Sequence, residues 1–87
     1  MLDQSEFYLR ERVARIIQQL LLKRSVSRLV SAEDSLREIG LTSLDMVSLM
    51  LAVEAEFGVQ IPDRDMTPSN FQSISSIEKM VAELLAP

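Results

Sequence analysis

Apolar residues recur at helical spacing in three separate stretches of this chain. That spacing puts them on one face of an α-helix, whereas a half-buried strand requires strict alternation. The first stretch predicts a helix from about Gln4 to Lys23, capped by Asp3, whose short side chain can accept an unpaired backbone N–H. The apolar stripe of this helix consists of Val13, Ile16, Ile17, Leu20 and Leu21.

A second helix is predicted from about Ser43 to Phe57. Thr42 can cap its first turn, and Asp45 follows three positions later, a spacing typical of a capping box with Asp in place of Glu. Gly58 comes directly after the last apolar residue and is expected to end the helix in a left-handed conformation.

The last helix is predicted to begin after Ile74, with Ser75 and Glu78 as its capping box. Pro68 to Phe71 is predicted to form one short helical turn before it. Strand signals are weak, because the one brief alternation is closely bounded by glycine and proline. We therefore expect a single domain over residues 1–87, all-α, folded as a small bundle of three longer helices and one short helix.

The composition excludes several classes of function. The chain has no cysteine and no histidine, so it can form neither a disulfide framework, nor a Cys/His zinc site, nor a Ser-His-Asp triad. The net charge of −4 argues against nucleic-acid binding. No signal peptide or membrane-spanning run is visible. We expect a cytoplasmic, monomeric protein without a metal ion; a small hydrolase or transferase that uses Asp and Glu is the enzyme alternative.

The second helix carries more apolar residues than one buried face requires. One broad cluster consists of Met46, Leu49, Met50, Val53 and Phe57. On the opposite side lie Leu44, Val47 and Leu51, flanked by Asp45, Glu54 and Glu56. The helix is either buried on both sides or presents an apolar strip that partner proteins grip. The spacing alone does not separate these two interpretations.

Positions 35–62 read SLREIGLTSLDMVSLMLAVEAEFGVQIP. This segment resembles the acyl and peptidyl (aminoacyl) carrier protein family, in which a Leu-Gly pair, Asp-Ser-Leu, a helix, Glu-Phe-Gly and Ile-Pro follow in this order. The matching residues here are Ile39-Gly40, Thr42-Ser43-Leu44-Asp45, Glu56-Phe57-Gly58 and Ile61-Pro62. No single dipeptide is specific to the family, but the ordered set with its spacing is.

The resemblance implies that Ser43 carries 4′-phosphopantetheine, added from coenzyme A by a phosphopantetheinyl transferase. An acyl or aminoacyl group would be loaded onto its thiol as a thioester by a ligase or synthase and passed to acyltransferases. The resemblance also implies partner contacts on the second helix, apolar at Leu44, Val47 and Leu51 and acidic at Asp45, Glu54 and Glu56. A chain without cysteine has no thiol of its own, so such a role requires an imported one.

Two departures from the family pattern stand out. Thr42 occupies the position where the family usually has Asp before the modified serine. Phe71 and Ile74 form a Phe-x-x-Ile pattern more reminiscent of aminoacyl and D-alanyl carriers. The second departure either favours a specialised carrier outside housekeeping fatty-acid synthesis or means only that Phe71 closes the core. The alternative is a carrier-like docking or adaptor module that is never modified.

Overall fold

The computed structural model describes residues 4–26 and 28–86. In chain order these contain α1 (Gln4–Lys23), α2 (Ser43–Phe57), a 3₁₀ turn (Asp63–Asp65) and α3 (Ile74–Leu85). Within those ranges there is no strand, so the expected all-α class is confirmed. The expected fourth helix is not confirmed. Residues 68–71 form only turns, and the one short helical element is the 3₁₀ turn that begins directly after Pro62.

The first helix has the predicted bounds. Val13, Ile17 and Leu21 are buried completely or almost completely, and Ile16 is also buried, while Leu20 packs partly buried against the core. This stripe allows α1 to pack against both α2 and α3, which makes it the central helix of the bundle. The predicted cap, Asp3, lies outside the described residues.

The second helix also has the predicted bounds, and its capping box is present. The Thr42 side-chain oxygen accepts a hydrogen bond from the Asp45 backbone N–H at 3.2 Å. The Asp45 carboxylate in turn accepts one from the Thr42 backbone N–H at 2.9 Å. At the other end, Gly58 adopts φ 64°, the left-handed conformation predicted for it, and donates its N–H to the Glu54 carbonyl.

The third helix begins earlier than predicted. Its N-cap is Ser73, whose side-chain oxygen accepts from the Ser76 backbone N–H, while the Ser76 hydroxyl oxygen accepts from the Ser73 backbone N–H. The predicted capping box of Ser75 and Glu78 is therefore wrong. The earlier start makes Ile74 the first helical residue, and its side chain is buried in the core.

The long connection between α1 and α2 is held to the rest of the bundle by its own apolar side chains. Leu36, Ile39 and Leu41 are all buried. Two backbone hydrogen bonds of 2.9 Å join it to the segment around the start of α3, from the Leu36 N–H to the Gln72 carbonyl and from the Ser75 N–H to the Ala32 carbonyl. Residues 32–41 of this connection are thus fixed against the bundle and lead to Thr42, directly before α2.

Candidate functional site

Ser43 is the first residue of α2, and its side chain is exposed. Among the hydrogen bonds of residues 4–26 and 28–86, none uses its hydroxyl group. The hydroxyl is therefore within reach of an enzyme that would modify it. Its position at the start of a 15-residue helix also places it at the positive end of the helix dipole, where an attached anion is favoured.

The residues around Ser43 hold the start of α2 through a network that reaches back to the end of α1. The Arg24 guanidinium donates to both carboxylate oxygens of Asp45, with N–O distances of 2.9, 3.0 and 3.2 Å. The same guanidinium donates to the Thr42 side-chain oxygen at 3.2 Å. We call Arg24, Thr42 and Asp45 the α2 clamp. It joins residues on either side of the long connection immediately beside Ser43.

The α2 clamp sets the protonation of its carboxyl group. The hydrogen bonds from the Arg24 guanidinium, and next the one from the Thr42 backbone N–H, lower the pKa of Asp45 below its ordinary value, although partial burial opposes this. All of these contacts favour the charged carboxylate. Asp45 is therefore ionised at neutral pH and pairs with a guanidinium whose side chain is 42% exposed.

The three carboxylates predicted as docking contacts are all engaged within the chain. Asp45 is buried and pairs with Arg24 in the α2 clamp, and its docking role stays a prediction. The Glu54 carboxylate accepts the Ile61 backbone N–H at 2.8 Å. The Glu56 carboxylate accepts from the side chain of Arg12 at 2.7 Å. Each of the three carboxylates of α2 that were predicted as docking contacts therefore has a hydrogen-bond partner within the chain.

The apolar strip of α2 lies on the surface. Leu44 is 75% exposed, Val47 53% and Leu51 62%. On the opposite side of the helix, Leu49 and Val53 are completely buried. Of the two interpretations left open by the spacing, burial on both sides is thus excluded for this chain on its own. Three exposed aliphatic side chains at i, i+3 and i+7 form the kind of patch that a helix offers to a partner.

A cleft of about 480 Å³ opens beside Ser43, between the start of α2 and the segment that leads to α3. Its apolar lining comes from Met46, Met50, Met66, Pro68 and Phe71. Its polar lining comes from Ser35, Arg37, Ser43, Thr67, Ser69 and Gln72. Methionine side chains adapt readily to the shape of a ligand, so the cleft could accept the flexible, partly apolar arm of a group attached to Ser43.

Sequence reasoning missed two features of this site. The first is Arg24, which pairs with a carboxylate 21 positions later, a contact that no local sequence signal indicates. The second is Arg37, which contributes the one charged side chain in the lining of the cleft. No local sequence signal places it there. Among the described residues there is no cluster of His, Cys, Asp or Glu that could hold a metal ion. The described helices also include none that is long and apolar enough to cross a membrane.

The family model for the phosphopantetheine attachment site matches residues 11–84 of this chain. That match covers the clamp, the cleft and the whole of α2, so the chain belongs to the family of phosphopantetheine-binding carrier proteins. The predicted carrier-protein identity is confirmed, and with it the covalent 4′-phosphopantetheine cofactor.

Two similar proteins bear the name aminoacyl carrier protein, which denotes a narrower class than carrier proteins in general. Aminoacyl carrier protein 1 of Bradyrhizobium diazoefficiens is 42% identical over 78 residues, which cover 90% of this chain and 87% of the relative. Aminoacyl carrier protein 2 of the same organism is 40% identical and covers 85% and 83% of the two chains. Both relatives are named for aminoacyl groups, one of the two classes of cargo in the predicted function of a specialised acyl or aminoacyl carrier.

A carrier protein in a solved crystal structure is also similar to this chain. This chain is 42% identical, with a TM-score of 0.71, to a chain in the crystal structure of Bradyrhizobium japonicum glycine:[carrier protein] ligase complexed with glycylated carrier protein. The match covers 82% of this chain and 96% of that one. The agreement in fold therefore extends over most of the chain.

Proposed function

We propose that Ser43 is the residue to which 4′-phosphopantetheine is attached, and that the chain carries an aminoacyl group as a thioester on this arm. The observation that carries the proposal is the exposed Ser43 hydroxyl at the first position of α2, beside the cleft. The arm supplies the thiol that a chain without cysteine lacks. The chain itself contributes attachment, orientation and docking, and another protein performs the chemistry.

The residues near Ser43 fit the attached group. The phosphodiester would lie at the amino end of α2, where the unpaired backbone N–H groups of the first turn favour an anion. The pantetheine portion would have the cleft lined by Met46, Met50 and Phe71 beside it. The α2 clamp holds the backbone on which Ser43 stands, so the point of attachment is fixed while the arm can swing.

We propose an aminoacyl cargo because two relatives are named aminoacyl carrier proteins. Such a cargo fits the cleft poorly. An aminoacyl group carries an ammonium ion, and burial of an unpaired charge among methionine and phenylalanine side chains is unfavourable. Arg37 in the cleft lining would also repel it. We therefore expect the cargo to stay outside the cleft, accessible to the enzymes that load and remove it.

The partners follow from this role. A ligase that activates an amino acid would load the arm, as in the related complex with a glycine:[carrier protein] ligase. A phosphopantetheinyl transferase would install the arm, and acyltransferases would receive the cargo. Each would dock transiently on the exposed strip of α2, through Leu44, Val47 and Leu51, because a carrier has to exchange partners. We place the protein in the cytoplasm and expect it to act as a monomer that binds no nucleic acid.

Attachment is tested by intact-protein mass spectrometry after incubation with coenzyme A and a broad-specificity phosphopantetheinyl transferase. We expect the mass of one phosphopantetheine group to be gained by the native chain and by Ser48→Ala, and not by Ser43→Ala. Ser48 is the matched control, since it is an exposed serine five positions further along the same helix. No gain with any of several transferases would instead support an unmodified adaptor, and a gain that persists in Ser43→Ala would place the site elsewhere.

The cargo is tested separately on the modified protein. Incubation with glycine, ATP and the Bradyrhizobium japonicum ligase should add one glycyl mass that hydroxylamine removes, since hydroxylamine cleaves thioesters. The native protein isolated from its host should likewise carry an amino acid. Recovery of the host protein with a fatty acyl chain would contradict the aminoacyl assignment while leaving the carrier role intact.

A further inference from the structure

A second groove, of about 390 Å³, lies between α1 and α2 and is separate from the cleft beside Ser43. Its walls come from Ile16, Gln19, Leu20, Leu22 and Lys23 on α1 and from Ser48 and Ala52 on α2. Ser48 lies four residues after Leu44 and three before Leu51, so the groove borders the exposed apolar strip. Leu22, which is 66% exposed, extends the apolar area onto α1. We call the groove and the strip together the α1–α2 surface.

The charges around the α1–α2 surface differ from those of an acidic docking helix. Lys23 is the one charged residue in the lining of the groove. Within the described ranges Lys23 forms no ion pair, whereas Asp45 and Glu56 on α2 are each paired with an arginine. Glu54, at the far edge of the strip, is half-buried and accepts the Ile61 N–H. The α1 side of this surface is therefore cationic and apolar.

We propose that the α1–α2 surface receives an amphipathic helix of a partner enzyme whose apolar face is flanked by Glu or Asp on the side that meets α1. Exposed leucines at helical spacing match the apolar anchors of such a helix. The unpaired Lys23 is complementary to its carboxylates, and the paired carboxylates of α2 do not repel them. This inference rests on the proposed carrier function, because it names the chemistry of the partner that docks beside Ser43.

The test uses two synthetic helical peptides that share a leucine face and differ only in their flanking residues, Glu in one and Lys in the other. Each is titrated into the unmodified protein and followed by two-dimensional NMR. We expect the Glu-flanked peptide to bind about five- to tenfold more tightly at low salt, and added salt to reduce the difference. The largest shift changes should fall on Leu20, Leu22, Ser48 and Ala52.

Lys23→Glu should weaken binding of the Glu-flanked peptide by about two- to fivefold or more, the range for one exposed ion pair. Lys79→Glu is the matched control, since Lys79 is an exposed lysine on α3 outside this surface, and it should leave binding unchanged. Thermal unfolding of both variants shows that they remain folded. A variant that unfolds is replaced by Lys23→Gln and Lys79→Gln.

Equal binding of the two peptides, preference for the Lys-flanked one, binding of neither, or shift changes elsewhere would each overturn the proposal. Self-association through the same residues, detected by sedimentation, would do so too by identifying a second copy as the occupant. Because the protein is unmodified throughout, these results are independent of whether Ser43 accepts phosphopantetheine. Failure here and failure of the carrier assignment are therefore distinguishable.

Discussion

The helices α2 and α3 begin with the same hydrogen-bond pattern but differ in what surrounds it. At the start of α3, two serines form a neutral capping box. At the start of α2, the box is formed by Thr42 and Asp45, and Arg24 at the end of α1 adds an ion pair to it. The extra contacts are next to Ser43. The start of α2 is thus held by more contacts than the start of α3, as expected if Ser43 carries the attached group proposed above.

The two helices differ in their exposed faces as well. On α3 the apolar residues Ile74, Ile77, Met80 and Val81 are buried, and Leu85 near its end is the large apolar side chain that is exposed. On α2 a buried face and an exposed strip coexist on one helix. A helix needs only one apolar face to pack. The second face of α2 is not packed against the core of the isolated chain, as expected if it is the docking surface proposed above.

The largest expected effect is a difference in the free energy of unfolding between substitutions on the buried and the exposed face of α2. Leu49→Ala should lower the free energy of unfolding by about 3 kcal/mol, because it leaves a cavity at a completely buried position. Leu51→Ala, two residues later on the exposed strip, should change it by less than about 0.5 kcal/mol. Urea denaturation measures both. A comparable loss in Leu51→Ala would show that the strip is part of the core.

The next largest expected effect is a difference in stability loss between substitutions in the capping boxes of α2 and α3. Asp45→Ala should cost about 2 to 3 kcal/mol, because it removes the carboxylate that accepts the Thr42 N–H and leaves the Arg24 guanidinium without its partner. Ser73→Ala, which removes only a neutral cap, should cost about 1 kcal/mol. Thermal or urea unfolding of the two variants provides the comparison. Equal losses would mean that the ion pair with Arg24 adds nothing to the α2 clamp.

The smallest expected effect is a pH dependence of stability that the capping box of α2, which contains Asp45, should show and the capping box of α3 should not. The pKa of Asp45 is lowered in the folded protein, chiefly by hydrogen bonds from Arg24. Its contribution to stability is therefore fully present above the unfolded-state value of 3.8 and is lost as the pH falls through the lower folded-state value. The difference in stability between the native chain and Asp45→Asn that is measured at pH 7 should shrink below about pH 4.

Ser73→Ala serves as the control for this pH series, because neither Ser73 nor Ser76 ionises. Its loss of stability should be the same at pH 7 and at pH 3. A difference between native protein and Asp45→Asn that stayed constant to low pH would contradict the lowered pKa. A parallel pH dependence in the Ser73→Ala difference would trace the effect to other carboxyl groups.

Local sequence signals determined most of the framework of this protein. The bounds of α1 and α2, the capping box of Thr42 and Asp45, the left-handed Gly58 and the placement of Ser43 at a helix start all follow from residues within four positions of one another. Capping and helical periodicity are interactions of that range, so the sequence alone is sufficient to predict them. The same applies to the family motifs, which lie in one continuous segment.

Only the tertiary structure decided the features that depend on distant residues. Ile74 begins α3 because the core accepts its side chain there, and the competing signal from Ser75 could not be ranked without that packing. Asp45 became internal because Arg24 reaches it across the long connection. The strip of α2 is exposed because α1 and the rest of the core cover only the opposite side. Burial and ion pairing depend on which elements meet in space, and a chain's local pattern does not contain that information.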